Sequence, residues 1–298
     1  MSLTLSDIHI RDPFVLPVPA EGKYYMYGTI GETCWKGKPR GFDVYVSTDL
    51  AVWEGPHPAF RPEPDFWSDF NYWAPEVHEW QGRYYMFATF KADGRCRGTQ
   101  TLVADHPQGP FRPLGDGPLT PRDWECLDGT FYVDPQGDPW MVFCHEWVQV
   151  QDGEICAVRL SRELDRAVSE PVLLFRASEA PWAEGIRGGA NYVTDGPFLY
   201  RAGNGELLLL WSSFSDGGYT IGCARQAGGG GDIAGPWVQD AEPLYKRDGG
   251  HGMLFRMFAG ELRLAIHTPN DSPHERPIFI PVTEKDGRLS AQPIEAQG

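Results

Sequence analysis

Basic residues are scarce beside acidic ones: 26 Lys and Arg stand against 41 Asp and Glu, giving a formal net charge of −15 and a pI near 4.9. Most of such a surface would repel a phosphate backbone or an anionic bilayer, so neither nucleic acid nor a membrane is expected as a partner. Long apolar runs are missing too. No stretch approaches the roughly 18 uninterrupted apolar residues of a membrane span, and no charged segment followed by an apolar one opens the chain as in a signal peptide. Met1-Ser2-Leu3 leads almost at once into a strand-like run, which fits a cytoplasmic protein or a secreted one whose signal peptide is absent; the location stays open. Cysteine is sparse and unpatterned. Cys34, Cys96, Cys126, Cys144, Cys156 and Cys223 include no C-x-x-C pair, and several sit within apolar runs, so they read as reduced core or loop thiols. The 8 histidines include no H-x-x-x-H pair, which argues against a catalytic zinc. No helix-length stretch with a 3.6-residue apolar period interrupts the chain.

What the sequence has in quantity is punctuation and aromatics: 35 Gly, 26 Pro and 11 Trp, with aromatics at 13%. That composition is all-β. One motif recurs, a Gly followed by a compact apolar strand: "GKYYMYGT" from Gly22, "GRYYMFAT" from Gly82, "GDPWMVFC" from Gly137, "GELLLLWSS" from Gly205 and "GELRLAIHT" from Gly260. The spacings of 60, 55, 68 and 55 residues are too long for a solenoid turn, so each unit holds several strands. A strand precedes each Gly ("RDPFVLPV", "WAPEVHEW", "LDGTFYVD", "TDGPFLYR", "GHGMLFRM"), a third follows, and a fourth usually starts near a Gly-Pro or a Trp. Antiparallel units repeated radially predict a single five-bladed β-propeller over residues 1–298, with four strands per blade. The "GGGG" at 228–231 then reads as a hairpin loop, since no helix follows it to cradle a phosphate.

Counted back from the marker glycines, Asp12 stands 10 residues before its Gly, Glu76 stands 6 before, Asp128 9, Asp195 10 and His251 9. Asp-Pro and Asp-Gly are ordinary turn residues one at a time. Five ionisable groups at equivalent strand starts are different, because the innermost strands of a propeller line its channel and would bring these groups to one mouth. Stability alone does not gather like charges, since each carboxylate raises the cost of ionising its neighbours.

Such a ring suits cleavage of a glycosidic bond, which needs one carboxylic acid to protonate the leaving oxygen and one carboxylate to activate water or attack the sugar. A third carboxylate beside the acid can hold its pKa up. Trp67, Trp73, Trp147 and Trp182 fall in loops or at strand ends near the same mouth, where aromatic faces suit the apolar side of a sugar ring; two of the four are expected to be core.

The set "RDPF", "WAPEV", "DGTFYVDPQGDPW", "TDGPFLYRAGNGELLLLW" and "GGHGM" resembles glycoside hydrolase family 43 over essentially the whole chain. The resemblance implies a five-bladed propeller that cleaves arabinosyl, xylosyl or galactosyl linkages with inversion. By motif it makes Asp12 the general base, Asp128 the carboxyl that orients the acid and tunes its pKa, and His251 the histidine near an axial cation or water. It implies no required cofactor, with room for a structural calcium held largely through water near His251. Arg11, Trp73, Glu76, Glu146, Trp147 and Arg276 are the candidate substrate-binding residues. Where the family has Glu before Gly-Pro on the fourth blade, this chain has Asp195-Gly196-Pro197, one methylene shorter. Asp195 is the expected proton donor, with Glu146 and Glu184 as spare carboxylates.

The expected substrates are plant-type oligosaccharides or polysaccharide side chains, and the expected activity is an exo-acting α-L-arabinofuranosidase, because no appended domain or long insertion builds an open cleft. β-Xylosidase, endo-arabinanase and β-galactosidase are the alternatives within the family. The fructoside hydrolases of families 32 and 68 share an Arg-Asp-Pro and a Glu-Cys, here Glu125-Cys126, but their Arg-Asp-Pro lies mid-chain. Mannoside phosphorylases would need a basic phosphate pocket that the spaced arginines do not announce. A lectin-like propeller, binding sugar without cutting it, is the non-enzymatic alternative, and turnover of nitrophenyl pentosides separates the two.

Overall fold

A computed structural model describes residues 2–228 and 232–292. Residues 229–231 of the glycine run, and residues 293–298 at the end of the expected domain, lie outside the described residues. Five antiparallel sheets follow one another along the chain. Their innermost strands are Ile10–Val18, Phe70–Trp80, Cys126–Val133, Asp195–Arg201 and Gly250–Arg256, and each is followed outward by strands in chain order. Blades two to five have four strands; blade one carries a fifth, Ser2–Leu3, on its outer edge. The fold is therefore a five-bladed β-propeller, and its one α-helix among the described residues is the single turn Trp147–Val150.

The recurring glycine has a backbone cause. Gly22, Gly82, Gly137, Gly205 and Gly260 all sit at positive φ, between +63° and +92°, in the hairpin joining first and second strands. A Cβ added at any of the five would meet nothing within 4 Å, so the requirement is the left-handed turn itself and not close packing.

Blades are held face to face by large side chains. Between blades one and two, Phe90 of blade two meets Phe42 and Phe60 of blade one with ring centroids 5.8 and 6.0 Å away. Between blades three and four, fully buried Trp211 packs on Trp182 at 4.8 Å and Phe175 at 5.5 Å. Edge-to-face and tilted pairs like these add to the area they bury.

Each sheet is built from one continuous stretch of chain, so the ring is closed by side chains and not by a shared sheet. Arg276 ties the loop before the third strand of blade five to the turn Leu5–Asp7, donating to the carbonyls of Ser6 (2.9 Å), Pro273 (3.0 Å) and Glu275 (2.7 Å). Beneath it, buried Glu275 receives the Ser272 hydroxyl at 2.6 Å and lies 3.5 Å from the Arg11 guanidinium.

Candidate active site

Every innermost strand carries a β-bulge at its start. The ladder pairs Arg11↔Thr29, Trp73↔Thr89, Leu127↔Cys144, Asp195↔Ser212 and Gly250↔His267 are each followed by two residues without partners before pairing resumes. The first unpaired residue is in the left-handed region in all five blades: Asp12 (φ 53°), Ala74 (45°), Asp128 (58°), Gly196 (49°) and His251 (50°). A bulge re-aims side chains, so two consecutive residues can face one side where a regular strand would alternate. That explains the charged pair in an apolar strand: Arg11 and Asp12 both line one pocket.

The register corrects the spacing argument in two blades. Taken as strand starts, Glu76 and Asp195 are equivalent to Asp12, whereas the residues at the position of Asp12 are Ala74 and Gly196. The bulge lies 10, 8, 9, 9 and 9 residues before its marker glycine because the hairpins differ in length. Asp195 therefore sits one residue before its bulge and Glu76 two after.

The pocket, about 390 Å³, is lined by all three aspartates, Asp12, Asp128 and Asp195, with His251 between them. His251 Nδ1 lies 3.3 Å from Asp12 Oδ1 and 3.6 Å from Asp128 Oδ2. A repeated clasp fixes the bulges. The N–H of Ala74 donates to the Thr29 hydroxyl at 2.7 Å, that of Asp128 to Thr89 at 2.9 Å, that of His251 to Ser212 at 2.9 Å, and that of Asp12 to His267 Nδ1 at 3.2 Å. Each acceptor stands opposite the residue before the bulge on the preceding blade. Thr29 also donates to Asp12 Oδ2 at 2.6 Å, and Arg11 Nη2 and His267 Nε2 meet on Asn270 Oδ1 at 2.6 and 3.3 Å.

These surroundings separate the carboxyls. Burial alone would raise the pKa of Asp12, but the His251 and His267 rings, Arg11 and the Thr29 hydroxyl outweigh it and hold the group below its ordinary 3.8. Asp128 goes the other way: burial, the Asp12 charge and the nearby Glu76 and Glu146 push it well above 3.8, against the Gly196 N–H it accepts. Asp195 is raised to about 7 by burial and by Asp128, with His251 and the Tyr219 hydroxyl, 2.9 Å from Oδ2, opposing. Burial takes His267 down to about 4, in keeping with a neutral ring whose Nδ1 accepts the Asp12 N–H. One carboxyl ready to ionise and another ready to hold a proton thus face one cavity, an arrangement suited to acid and base work.

Around them stand braced aromatics. Trp35, 56% exposed, meets Trp73 edge to face at 5.4 Å. The guanidinium of Arg11 lies over Trp35 (5.1 Å), that of Arg97 over Trp73 (4.5 Å) and that of Arg187 over Trp147 (4.6 Å). Glu146 lines the pocket but is taken by an ion pair with Arg97, and burial raises its pKa even so.

Of the sequence candidates, Arg11, Trp73, Glu146 and Trp147 line this pocket with the three aspartates and His251. Glu76 and Arg276 do not. Glu76 is buried, 3.1 Å from His78, and Arg276 is spent on the backbone carbonyls that close the ring. Glu184 is exposed outside the pocket; Trp67 and Trp182 are the two tryptophans that pack in the core. Glu125 pairs with Lys91 at 2.6 Å, and all six cysteines are free. Trp35, Tyr219, His267 and Asn270 also stand at the site; His267 and Tyr219 come from the second and third strands of blades five and four, where the repeat marks apolar positions and not these side chains, and Trp35 and Asn270 come from loops.

The calcium implied near His251 would be held largely through water, as His251 itself offers only nitrogen, and its Nδ1 faces Asp12 and Asp128. Among the described residues no group of three or more His, Cys, Asp and Glu side chains is arranged to bind a metal.

Known proteins agree with this architecture. A structure of an endo-arabinase from Bacteroides thetaiotaomicron VPI-5482 is 42% identical, superposes with a TM-score of 0.87, and the match covers 96% of this chain and 98% of that one. An α-L-arabinofuranosidase from Lactobacillus brevis, 17% identical, shares the fold with a TM-score of 0.75 over 97% of each chain. The extracellular exo-α-(1→5)-L-arabinofuranosidase ArbA of Cellvibrio japonicus (strain Ueda107) is 22% identical over 193 residues, 58% of this chain and about half (53%) of that protein's length. The family model for glycosyl hydrolases family 43 matches residues 6–283, and with the propeller and the pocket in place the chain belongs to that family of enzymes.

Proposed function

We propose that the enzyme releases terminal α-L-arabinofuranosyl residues from plant-type oligosaccharides or polysaccharide side chains, with inversion at the anomeric carbon. The observation that carries this reading is the opposed pKa directions of Asp12 and Asp195 across one pocket. Asp12, ionised, takes a proton from water as that water attacks the anomeric carbon. Asp195, protonated, gives its proton to the departing oxygen. Asp128 touches neither bond; its carboxyl keeps Asp195 protonated and in place. Arg11 and His267 hold Asn270 at the rim, and Trp35, Trp73 and Trp147 offer faces to the sugar.

Arabinose as the sugar is favoured by the 42% identical endo-arabinase. Exo action is favoured by the walls: Trp35 on blade one, Trp147 on blade three, Ile186 on blade four and Asn270 to Ser272 on blade five rise around the carboxyls. A pocket near the small end of ligand sites suits a chain end more than a long polymer. The second reading, endo cleavage, rests on the name of that same relative. Linear arabino-oligosaccharides separate the two. Arabinose as the sole early product, with each oligomer shortened one unit at a time, is the expected result; an early spread of di- and trisaccharides would establish endo action.

A further inference from the structure

The clasp that fixes the bulges is broken at one blade. Blades one, two and four present a hydroxyl (Thr29, Thr89, Ser212) to the next blade's bulge N–H, and blade five presents His267. At the same ladder position blade three has Cys144, fully buried and paired with Leu127. A thiol is a weak acceptor. The N–H it would have served, that of Gly196, donates instead to Asp128 Oδ2 at 3.0 Å.

Blade one shows what a hydroxyl there does. Asp12 occupies the bulge position that Asp128 occupies in blade three, yet Asp12 is kept off the neighbouring N–H: Thr29 stands between them, accepting from Ala74 at 2.7 Å and donating to Asp12 Oδ2 at 2.6 Å. Without that hydroxyl, the Asp128 carboxyl bonds directly to the peptide joining Asp195 and Gly196. The same bulge geometry thus yields two carboxylates with different neighbours: Asp12 receives the Thr29 hydroxyl, and Asp128 receives the N–H of the residue after Asp195.

We propose that Cys144 is a positioning residue: by withholding a hydroxyl from Gly196 it leaves that N–H to Asp128 and so seats the Asp128 carboxyl beside Asp195. Its role is passed on through Asp128 and touches no reacting atom. The inference rests on Asp195 being the proton donor.

The test is to supply the missing hydroxyl. Cys144→Thr recreates the blade-one arrangement, and Cys144→Ser does so with less bulk should the threonine variant fold poorly. Either hydroxyl would intercept the Gly196 N–H and draw Asp128 back. With Asp195 less well protonated, kcat on arabino-oligosaccharides is expected to fall about tenfold, the equivalent of one pKa unit at a pH above the donor's. Turnover of an activated nitrophenyl α-L-arabinofuranoside should change less than about twofold, because its leaving group needs little protonation. Cys144→Ala supplies no acceptor; it lowers Tm through the cavity it leaves, but the ratio of the two activities stays that of the parent. Equal losses on both substrates in the serine and threonine variants, or the same split in the alanine variant, would overturn the inference. Asp195→Asn on the same substrate pair keeps the two claims apart. A split there with none in Cys144→Ser sinks only the role of Cys144, whereas no split there removes the donor assignment itself.

Discussion

Asp195→Asn is expected to lower kcat on arabino-oligosaccharides by about 10²- to 10⁴-fold, the usual worth of a positioned general acid, and to spare activated aryl arabinosides. The asparagine keeps the size of the group and can still accept from Tyr219, so the loss isolates the proton. The natural enzyme should lose activity as pH rises through about 7, where Asp195 gives up its proton, and the variant should lack that limb. Stability falls in the same direction. A carboxyl whose folded pKa is raised penalises folding once the unfolded chain has ionised. Stability thus falls as pH rises from the unfolded value near 3.8 towards 7, and the penalty is complete above it. Asp195→Asn should therefore raise Tm at pH 8 and leave it nearly unchanged at pH 3, as thermal unfolding at the two pH values will report. A variant that slowed both substrate types alike would place the donor elsewhere.

Asp12→Ala should act on both substrate types together, by about 10³-fold or more, since water must be activated whatever leaves. Two further effects follow from the neighbours. The Thr29 hydroxyl and His251 Nδ1 lose the carboxylate they face at 2.6 and 3.3 Å, while the clasp between the residue-12 N–H and His267 is a backbone bond and survives. Asp128, no longer pushed up by the Asp12 charge, should ionise more readily. Rescue by a small anion such as azide, which can enter the space and attack directly, would show that only the base is missing. Full activity on either substrate would remove Asp12 from the mechanism.

The blades were legible because one backbone requirement, a positive φ at the first hairpin, writes a glycine into every repeat. The register was not, because nothing in the sequence states how many residues a hairpin spends between bulge and glycine. The ionisable residues of blades one, three and five, 10, 9 and 9 residues before their glycines, are the bulge residues themselves, whereas Asp195 and Glu76, 10 and 6 before theirs, lie one residue before the bulge and two after it. The offset at Asp195 matters chemically. Lying before the bulge and not on it, its side chain starts from a different point of the strand than those of Asp12 and Asp128. Glu76 resembled a ring member in the sequence and is a buried partner of His78. Partners drawn from other strands, such as Tyr219 on Asp195 and His267 behind Asp12, become visible only when the sheets are assembled. Cys144 is the same kind of residue: it looks like a core thiol until the other four blades show what stands in its place.

The central claim is that Asp12 directs water onto the anomeric carbon from the side opposite the Asp195 proton, in a single displacement. Proton NMR of the first turnovers on an α-L-arabinofuranoside tests it most directly. The anomeric signal of freshly released sugar should be that of β-L-arabinofuranose, with the α form appearing only as the product mutarotates. If α-L-arabinofuranose comes first, the reaction proceeds with retention through a covalent intermediate, and the roles given to Asp12 and Asp195 are contradicted.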